Sequence, residues 1–123
     1  MLIEIDFNSP QALYIQLRNQ IVMGIAQDRL RDGDSLPSVR SLASTLGVNM
    51  HTVNKAYSML RSEGYLILDR RKGAIIQVEV ENKDHEIEKI HHNMRMVVAQ
   101  AICKGISKED MHAVIEEMYD FFE

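Results

Sequence analysis

The sequence has little of what disulfide-bonded scaffolds or membrane proteins require. Cys103 is the only cysteine among 123 residues, so no intrachain disulfide is possible, which fits a reducing compartment. No stretch approaches the ~18 apolar residues of a membrane span, and no basic segment followed by an apolar run opens the chain. We therefore expect a cytoplasmic protein without membrane contact.

Motifs for catalysis are also missing. The sequence has no glycine-rich phosphate loop, no cysteine pair, and no nucleophile that a neighbouring base would activate. His85, His91 and His92, with Glu88, could imitate a metal site, but their spacing does not gather three ligands on one helix face. We expect neither enzymatic activity nor a bound metal or cofactor.

Proline and glycine are scarce, with two and six residues, and they mark the ends of predicted elements. Ser9 is a suitable N-cap with Pro10 at the first helical position, which predicts a first helix from there. Gly64 predicts the end of a later helix, because glycine readily adopts the left-handed conformation at that position.

The stretch from Leu36 to Leu60 carries two short amphipathic patterns. Both follow helical spacing, so each set lies on one face: Val39, Leu42, Ala43 and Leu46, then Val53, Ala56, Tyr57 and Leu60. Gly47 and Val48 leave room only for a tight turn between them. Two helices joined in this way predict a helix-turn-helix.

The outer face of the second of these helices is polar or basic. Its residues are His51, Asn54, Lys55, Ser58 and Arg61, and no acid occurs before Glu63. Short hydrogen-bonding side chains and cations on one face suit the major groove of DNA. The alternative is an ordinary solvated face, although such faces usually mix Glu with Lys.

Charge is unevenly distributed along the chain. The whole sequence has a net charge of −4, but residues 36–73 hold six Lys or Arg and two Asp or Glu, a net +4. Residues 74–123 hold five and eleven, a net −6. A local basic region favours nucleic acid more than the total charge disfavours it.

Two strand-like runs, Tyr65–Leu68 and Ala74–Val80, follow the helix-turn-helix. In the second run Ile76, Val78 and Val80 alternate with polar residues, which predicts one buried face. The loop between the runs contains Arg70, Arg71 and Lys72. Three cations on a hairpin tip beside a helix-turn-helix indicate a wing, whereas an isolated basic tip would usually be only solvated.

A polar break at Glu81–Asp84 separates this region from a helical tail. We expect a DNA-binding domain at residues 1–81 and a dimerisation region at 82–123. Two further helices are predicted, the second opening with a capping box at Ser107–Asp110. Their apolar stripes are too extensive to be buried between two helices alone, so they require contact with the first module or with a second chain. We favour a second chain, with the N-terminal module covering part of the surface.

Residues 10–80 resemble the DNA-binding domain of the GntR family of bacterial transcription regulators. The resemblance is carried by LPSVRSLASTLGV, TVNKAY, LRSEGY and the basic wing that ends at Gly73. The short tail is similar to the YtrA-like subfamily, whose members dimerise through it. The implied fold is mainly α with a small β-wing, a winged helix-turn-helix followed by a two-helix tail.

The resemblance also implies which residues bind DNA. Arg40 would contact phosphate or a base edge, Ser38 would donate to phosphate, and Thr52, Asn54 and Lys55 would lie in or beside the major groove. The residue chemistry itself adds further candidate contacts: Asn49, His51, Arg70, Arg71 and Lys72. The sequence departs from the family at Met50, where Arg is frequent, and at His51, where Asn, Thr or Ser is frequent. These departures affect the operator sequence rather than DNA binding.

The function expected is that of a dimeric, sequence-specific transcription regulator, a repressor that binds an inverted repeat in double-stranded DNA. Two alternatives stay open. One is a winged-helix module that binds protein, which the acid-free helix face disfavours. The other is a non-specific nucleic-acid binder, which Thr52 and Asn54 disfavour. The sequence identifies no effector.

Overall fold

The computed structural model describes residues 3–122. Within them lie five helices and one antiparallel two-stranded sheet: α1 (Leu13–Ala26), α2 (Val39–Leu46), α3 (Met50–Ser62), β1 (Leu66–Asp69), β2 (Gly73–Ile76), α4 (Lys83–Cys103) and α5 (Lys108–Phe122). The chain divides into two compact units, one ending at Glu79 and the other beginning at Val80. The mainly helical architecture with a small β-hairpin confirms the predicted fold class.

Helix α1 begins at Leu13, so the predicted start at Ser9 and Pro10 is wrong. The Ser9 hydroxyl accepts the backbone N–H of Gln11 at 3.1 Å and so closes a turn instead of a helix. The side-chain amide of Gln16 donates to the Gln11 carbonyl at 2.9 Å. That bond uses a carbonyl that an earlier helix would need for its own hydrogen bonding.

A single core fills the first unit. Both predicted apolar stripes face it, with Val39 and Leu46 partly buried at the ends of the first stripe. The buried core residues come from all three helices, the segment between α1 and α2, and the hairpin: Leu17, Ile21, Leu30, Leu36, Leu42, Ala43, Val53, Ala56, Tyr57, Leu60, Leu66, Ala74 and Ile76. The helices pack in this way because each has one apolar face to remove from water.

The capping residues of α2 and α3 are those that the sequence predicts. Ser38 caps α2 by accepting the N–H of Ser41 at 3.1 Å, and Asn49 caps α3 by accepting the N–H of His51 at 2.8 Å. Gly47 ends α2 with φ of +70°, a left-handed conformation that strains other residues. These caps fix the start of the third helix and confirm the helix-turn-helix.

The hairpin is shorter than predicted. β2 ends at Ile76, and Val80 is exposed, so the strand expected to reach Val80 with one buried face is wrong. Ile75 is buried as well as Ile76, and the segment before α2 pairs with β2 through a bridge from Ser35 to Ile75. The Leu36 N–H donates to the carbonyl of Ala74 at 2.8 Å in the same pairing.

The second unit contains α4 and α5. Asn82 caps α4 by accepting the N–H groups of Asp84 and His85. Ser107 and Asp110 form the predicted capping box, because each side chain accepts the other residue's backbone N–H. Along α5 no described residue is buried. None of the helices between residues 3 and 122 is long and apolar enough to cross a membrane.

Candidate nucleic-acid interface

The outer face of α3 is the first part of the candidate site. His51, Asn54, Lys55, Ser58 and Arg61 are all exposed, while the opposite face of the helix is buried in the core. Helix α3 contains no Asp or Glu. An exposed, acid-free face with amide, imidazole and hydroxyl groups can approach a polyanion and hydrogen-bond base edges.

The first acid after α3 is Glu63, and an arginine of α1 neutralises it. Arg18 donates through Nε and Nη2 to the two carboxylate oxygens of Glu63, at 2.9 and 2.8 Å. The same guanidinium lies 5.8 Å from the ring centroid of Tyr65. The hydrogen bond to Glu63 raises the pKa of Arg18 above its usual value, although partial burial opposes the shift. This bidentate pair ties α1 to the end of α3.

Lys55 contacts an aromatic ring. Its ammonium nitrogen lies 4.0 Å from the ring centroid of Tyr14, in the first turn of α1. Within residues 3–122, the side-chain ion pairs do not include Lys55. A cation at this distance over a ring face is held by the ring quadrupole.

The start of α2 contributes Ser38 and Arg40. Both are exposed, and across the described part of the chain Arg40 takes no part in an ion pair. The Ser38 oxygen accepts a backbone N–H as the cap of α2, so its hydroxyl hydrogen stays available to donate. Asn49, the cap of α3, is likewise exposed. Thr52, in the first turn of α3, is half-buried.

The wing tip is organised by one carboxylate. Asp69 pairs with Gly73 across the hairpin, which leaves Arg70, Arg71 and Lys72 in the loop. Asp69 Oδ1 accepts the backbone N–H groups of Arg71 at 2.7 Å and Lys72 at 2.9 Å. These two hydrogen bonds, first the one from Lys72, lower the pKa of Asp69. All three cationic side chains are exposed.

All ten residues predicted from the sequence as DNA contacts therefore belong to the first unit, and nine of them are exposed. Their role in DNA binding stays a prediction. The sequence reasoning did not identify Tyr14, Arg18 or Asp69 as parts of this surface. Asp69 could have been found, because Asp before a tight turn commonly caps it. Nothing in the local sequence of Tyr14 or Arg18 indicates a partner in another helix.

Side chains of metal-ligating types and the single thiol are further candidates for chemistry. In the part of the chain that the structure describes, no three His, Cys, Asp or Glu side chains are grouped closely enough to hold a metal ion. Cys103 is free and exposed at the end of α4.

Comparison with known proteins identifies the family. Residues 13–76 match the gntR family of bacterial regulatory proteins. The HTH-type transcriptional repressor YtrA of Bacillus subtilis is 29% identical over 119 residues, which cover 95% of this chain and 92% of that protein. Thus the similarity to this repressor extends through the tail.

Solved structures agree with this assignment. YtrA from Sulfolobus acidocaldarius, a GntR-family transcription factor, has 37% identity and a TM-score of 0.69, and the match covers 84% of this chain and 99% of that chain. The DNA-binding domain of AraR in complex with operator ORX1 has 26% identity and a TM-score of 0.53, over 63% of this chain and 99% of that chain. The chain therefore belongs to the GntR family of bacterial regulatory proteins and is a winged helix-turn-helix DNA-binding transcription regulator.

Proposed function

We propose that the chain is a homodimeric repressor that binds an inverted-repeat operator in double-stranded DNA. The observation that carries the proposal is the acid-free, exposed outer face of α3 in the same unit as an exposed, tri-cationic wing tip. YtrA of Bacillus subtilis is a transcriptional repressor, and the DNA-binding domain of AraR is seen in complex with operator ORX1. Because the Bacillus subtilis relative is a transcriptional repressor, we propose that the chain is a regulator without catalytic activity and that it is located in the cytoplasm.

The proposed roles follow from side-chain chemistry. Asn54 can form two hydrogen bonds with an adenine edge, and His51 can donate to a purine acceptor, so the outer face of α3 reads bases. Asn49 and Thr52 support reading at the N-terminal end of that helix. We assign Lys55 to the phosphate backbone of the DNA, because its ammonium group has no planar pair of donors to match one base edge.

The remaining contacts clamp the DNA. Ser38 and Arg40 at the start of α2 lie where a helix-turn-helix crosses the phosphate backbone. Arg70, Arg71 and Lys72 on the wing tip bind phosphate or the minor groove. Their affinity is electrostatic, so it should vary little with sequence and fall as salt rises.

Support for a dimer comes from the apolar surface of the second unit. Within that unit, Ile87, Ile90, Val97 and Val98 of α4 are exposed, and so are Ile115, Met118 and Phe121 of α5. Exposed apolar surface on this scale is typical of a protein interface. A second copy of the chain fits best, because an inverted repeat presents two equal half-sites to a two-fold symmetric protein.

The experiment begins with selection of bound sequences from a pool of random duplexes. Fluorescence anisotropy then compares the selected duplex with a scrambled one over a salt series, for Asn54→Ala and Arg71→Ala. Lys104→Ala, which removes an exposed cation from the tail, is the matched control for loss of charge. The selected sequences should contain an inverted repeat with half-site centres about one helical turn apart, roughly 34 Å.

The two substitutions should have different effects. Asn54→Ala should weaken the selected duplex by about 1–3 kcal/mol and relax preference at particular base pairs. Arg71→Ala should weaken both duplexes and lower the salt slope by about one unit for each lost phosphate contact. Equal weakening of both duplexes by Asn54→Ala would favour a non-specific binder. Absence of any duplex binding would favour a protein-interaction module.

A further inference from the structure

One side-chain contact on the candidate DNA-binding surface has no role in the proposed function. Lys55 lies on the side of α3 away from the core, yet its ammonium group is 4.0 Å from the ring centroid of Tyr14 in α1. An exposed lysine would normally sample many rotamers, and fixing it in one of them costs side-chain entropy. The ring reduces that freedom before any ligand arrives.

The ring itself is held in place. Tyr14 is partly buried and packs against the core of the first unit. One turn further along α1, Arg18 makes its bidentate ion pair with Glu63 at the end of α3. The packing of Tyr14 against the core and the Arg18–Glu63 ion pair together hold the first turns of α1 beside α3. The Tyr14 ring is therefore a rigid surface for the Lys55 side chain.

We propose that Tyr14 is a positioning residue for DNA binding, which holds the Lys55 ammonium group in place for a backbone phosphate. The proposal rests on the function proposed above. An ammonium group has three N–H donors, so one side can lie over the ring while another donates to a phosphate oxygen. The ring and the phosphate then act together, and less side-chain entropy is lost when DNA binds.

The variants are chosen to separate the ring from its hydroxyl group and from its apolar bulk. Tyr14→Phe keeps the ring and should bind DNA like the wild type. Tyr14→Leu keeps apolar bulk without a ring and should weaken the selected and scrambled duplexes alike. The expected loss is about two- to five-fold, the size of one exposed cation–π contact.

A double-mutant cycle tests whether Tyr14 acts through Lys55. In a Lys55→Met background, Tyr14→Leu should have no further effect on affinity. In an Arg71→Ala background, its effect should be the same as in the wild type. Additive losses with Lys55→Met, tighter binding by Tyr14→Leu, or equal losses for Tyr14→Phe and Tyr14→Leu would each overturn the proposal.

A measurement on the wild-type protein covers the case in which Tyr14→Leu does not fold. The Lys55 ε-protons should show an upfield ring-current shift in the NMR spectrum, both free and bound to the selected duplex. A shift that disappears on DNA binding would mean that the ammonium leaves the ring to reach phosphate, which overturns the proposal. If the wild type bound no duplex at all, the proposed function itself would have failed.

Discussion

The hydroxyl group of Tyr57, in the buried face of α3, donates a hydrogen bond of 2.7 Å to the carbonyl oxygen of Pro37. That carbonyl lies just before Ser38, the N-cap of α2. The bond therefore links the middle of one helix of the helix-turn-helix to the beginning of the other. Burial of the ring around this bond raises the pKa of Tyr57 to about 12.

The first prediction concerns this link. Tyr57→Phe keeps the ring but leaves the Pro37 carbonyl without its partner, so the free energy of unfolding should fall by about 1 kcal/mol. Urea denaturation followed by circular dichroism measures the difference. Tyr119→Phe, a change at an exposed tyrosine of α5, is the control and should have no effect. Equal stability of Tyr57→Phe and the wild type would show that the bond adds nothing to the fold.

The second prediction concerns alkaline pH. The pKa of Tyr57 is raised in the folded state, so the folded protein retains a proton that the unfolded chain releases. This contribution to stability is complete below about pH 10, the ordinary tyrosine value, and is lost as pH rises toward about 12. In denaturation curves measured over that range, the wild type should therefore lose its stability advantage over Tyr57→Phe and become the less stable of the two at its upper end. Curves that stay parallel would contradict the prediction.

The third prediction concerns the wing. Asp69→Asn can keep the acceptor for the N–H groups of Arg71 and Lys72 while removing a negative charge, so both selected and scrambled duplexes should bind more tightly. Asp69→Ala also removes the acceptor, so the loop loses its two ordering hydrogen bonds. It should therefore bind more weakly than Asp69→Asn. Anisotropy titrations measure the ranking, and amide hydrogen exchange at Arg71 and Lys72 reports the order of the loop.

The comparison contains its own control. The difference in affinity between the wild type and Asp69→Asn measures the effect of the charge. The difference between Asp69→Asn and Asp69→Ala measures the effect of the hydrogen-bond acceptor. If Asp69→Ala bound DNA as tightly as Asp69→Asn and exchanged its amides at the same rate, Asp69 would not order the wing.

The fourth prediction concerns Arg18. Arg18→Ala breaks a bidentate pair whose side chains are 23% and 34% exposed, and it removes the guanidinium from beside Tyr65. Stability should fall by about 1–2 kcal/mol in urea denaturation. Arg31→Ala breaks the pair with Asp28, in which both side chains are at least 70% exposed, and should cost less than about 0.5 kcal/mol. Equal effects would mean that burial does not strengthen the Arg18 pair.

The fifth prediction concerns the proposed dimer. Met118 of α5 is 58% exposed in the single chain, so Met118→Asp should leave helix content unchanged. It would, however, place a charge in the proposed interface, so sedimentation should show monomers and operator binding should weaken by loss of the second half-site. Glu116→Gln, on the polar side of α5, is the control. A Met118→Asp protein that stayed dimeric would place the interface elsewhere.

Most of the fold could be predicted because local signals agreed with each other. Periodicity, the caps Ser38 and Asn49, and the glycines at positions 47 and 64 all indicate the same start and end for each of the two helices. The errors came from non-local contacts. The Gln16 side chain reaches back to the segment before α1, and Ser35 pairs with β2, and neither contact leaves a periodic pattern.

The candidate site could be predicted only in part for the same reason. The exposed face of α3 and the wing cations follow from spacing and composition. The pairing of Lys55 with Tyr14 depends on how α1 and α3 pack, which spacing along either helix does not reveal. Spacing alone therefore does not reveal the side chains that surround the ten predicted DNA contacts, and the role of those ten residues stays a prediction.

The pairing between the wing and the segment before α2 influences whether the protein or the DNA must deform when the proposed complex forms. Besides the Ser35–Ile75 bridge, the Ile76 N–H donates to the carbonyl of Asp34 at 2.9 Å. The base of the wing is therefore part of the same small sheet that leads into α2, and it cannot swing independently of the helix-turn-helix. In the proposed complex, a mismatch between the protein and a groove of unsuitable width must be absorbed by DNA. Base steps that the protein never touches would then influence affinity through the stiffness of the duplex.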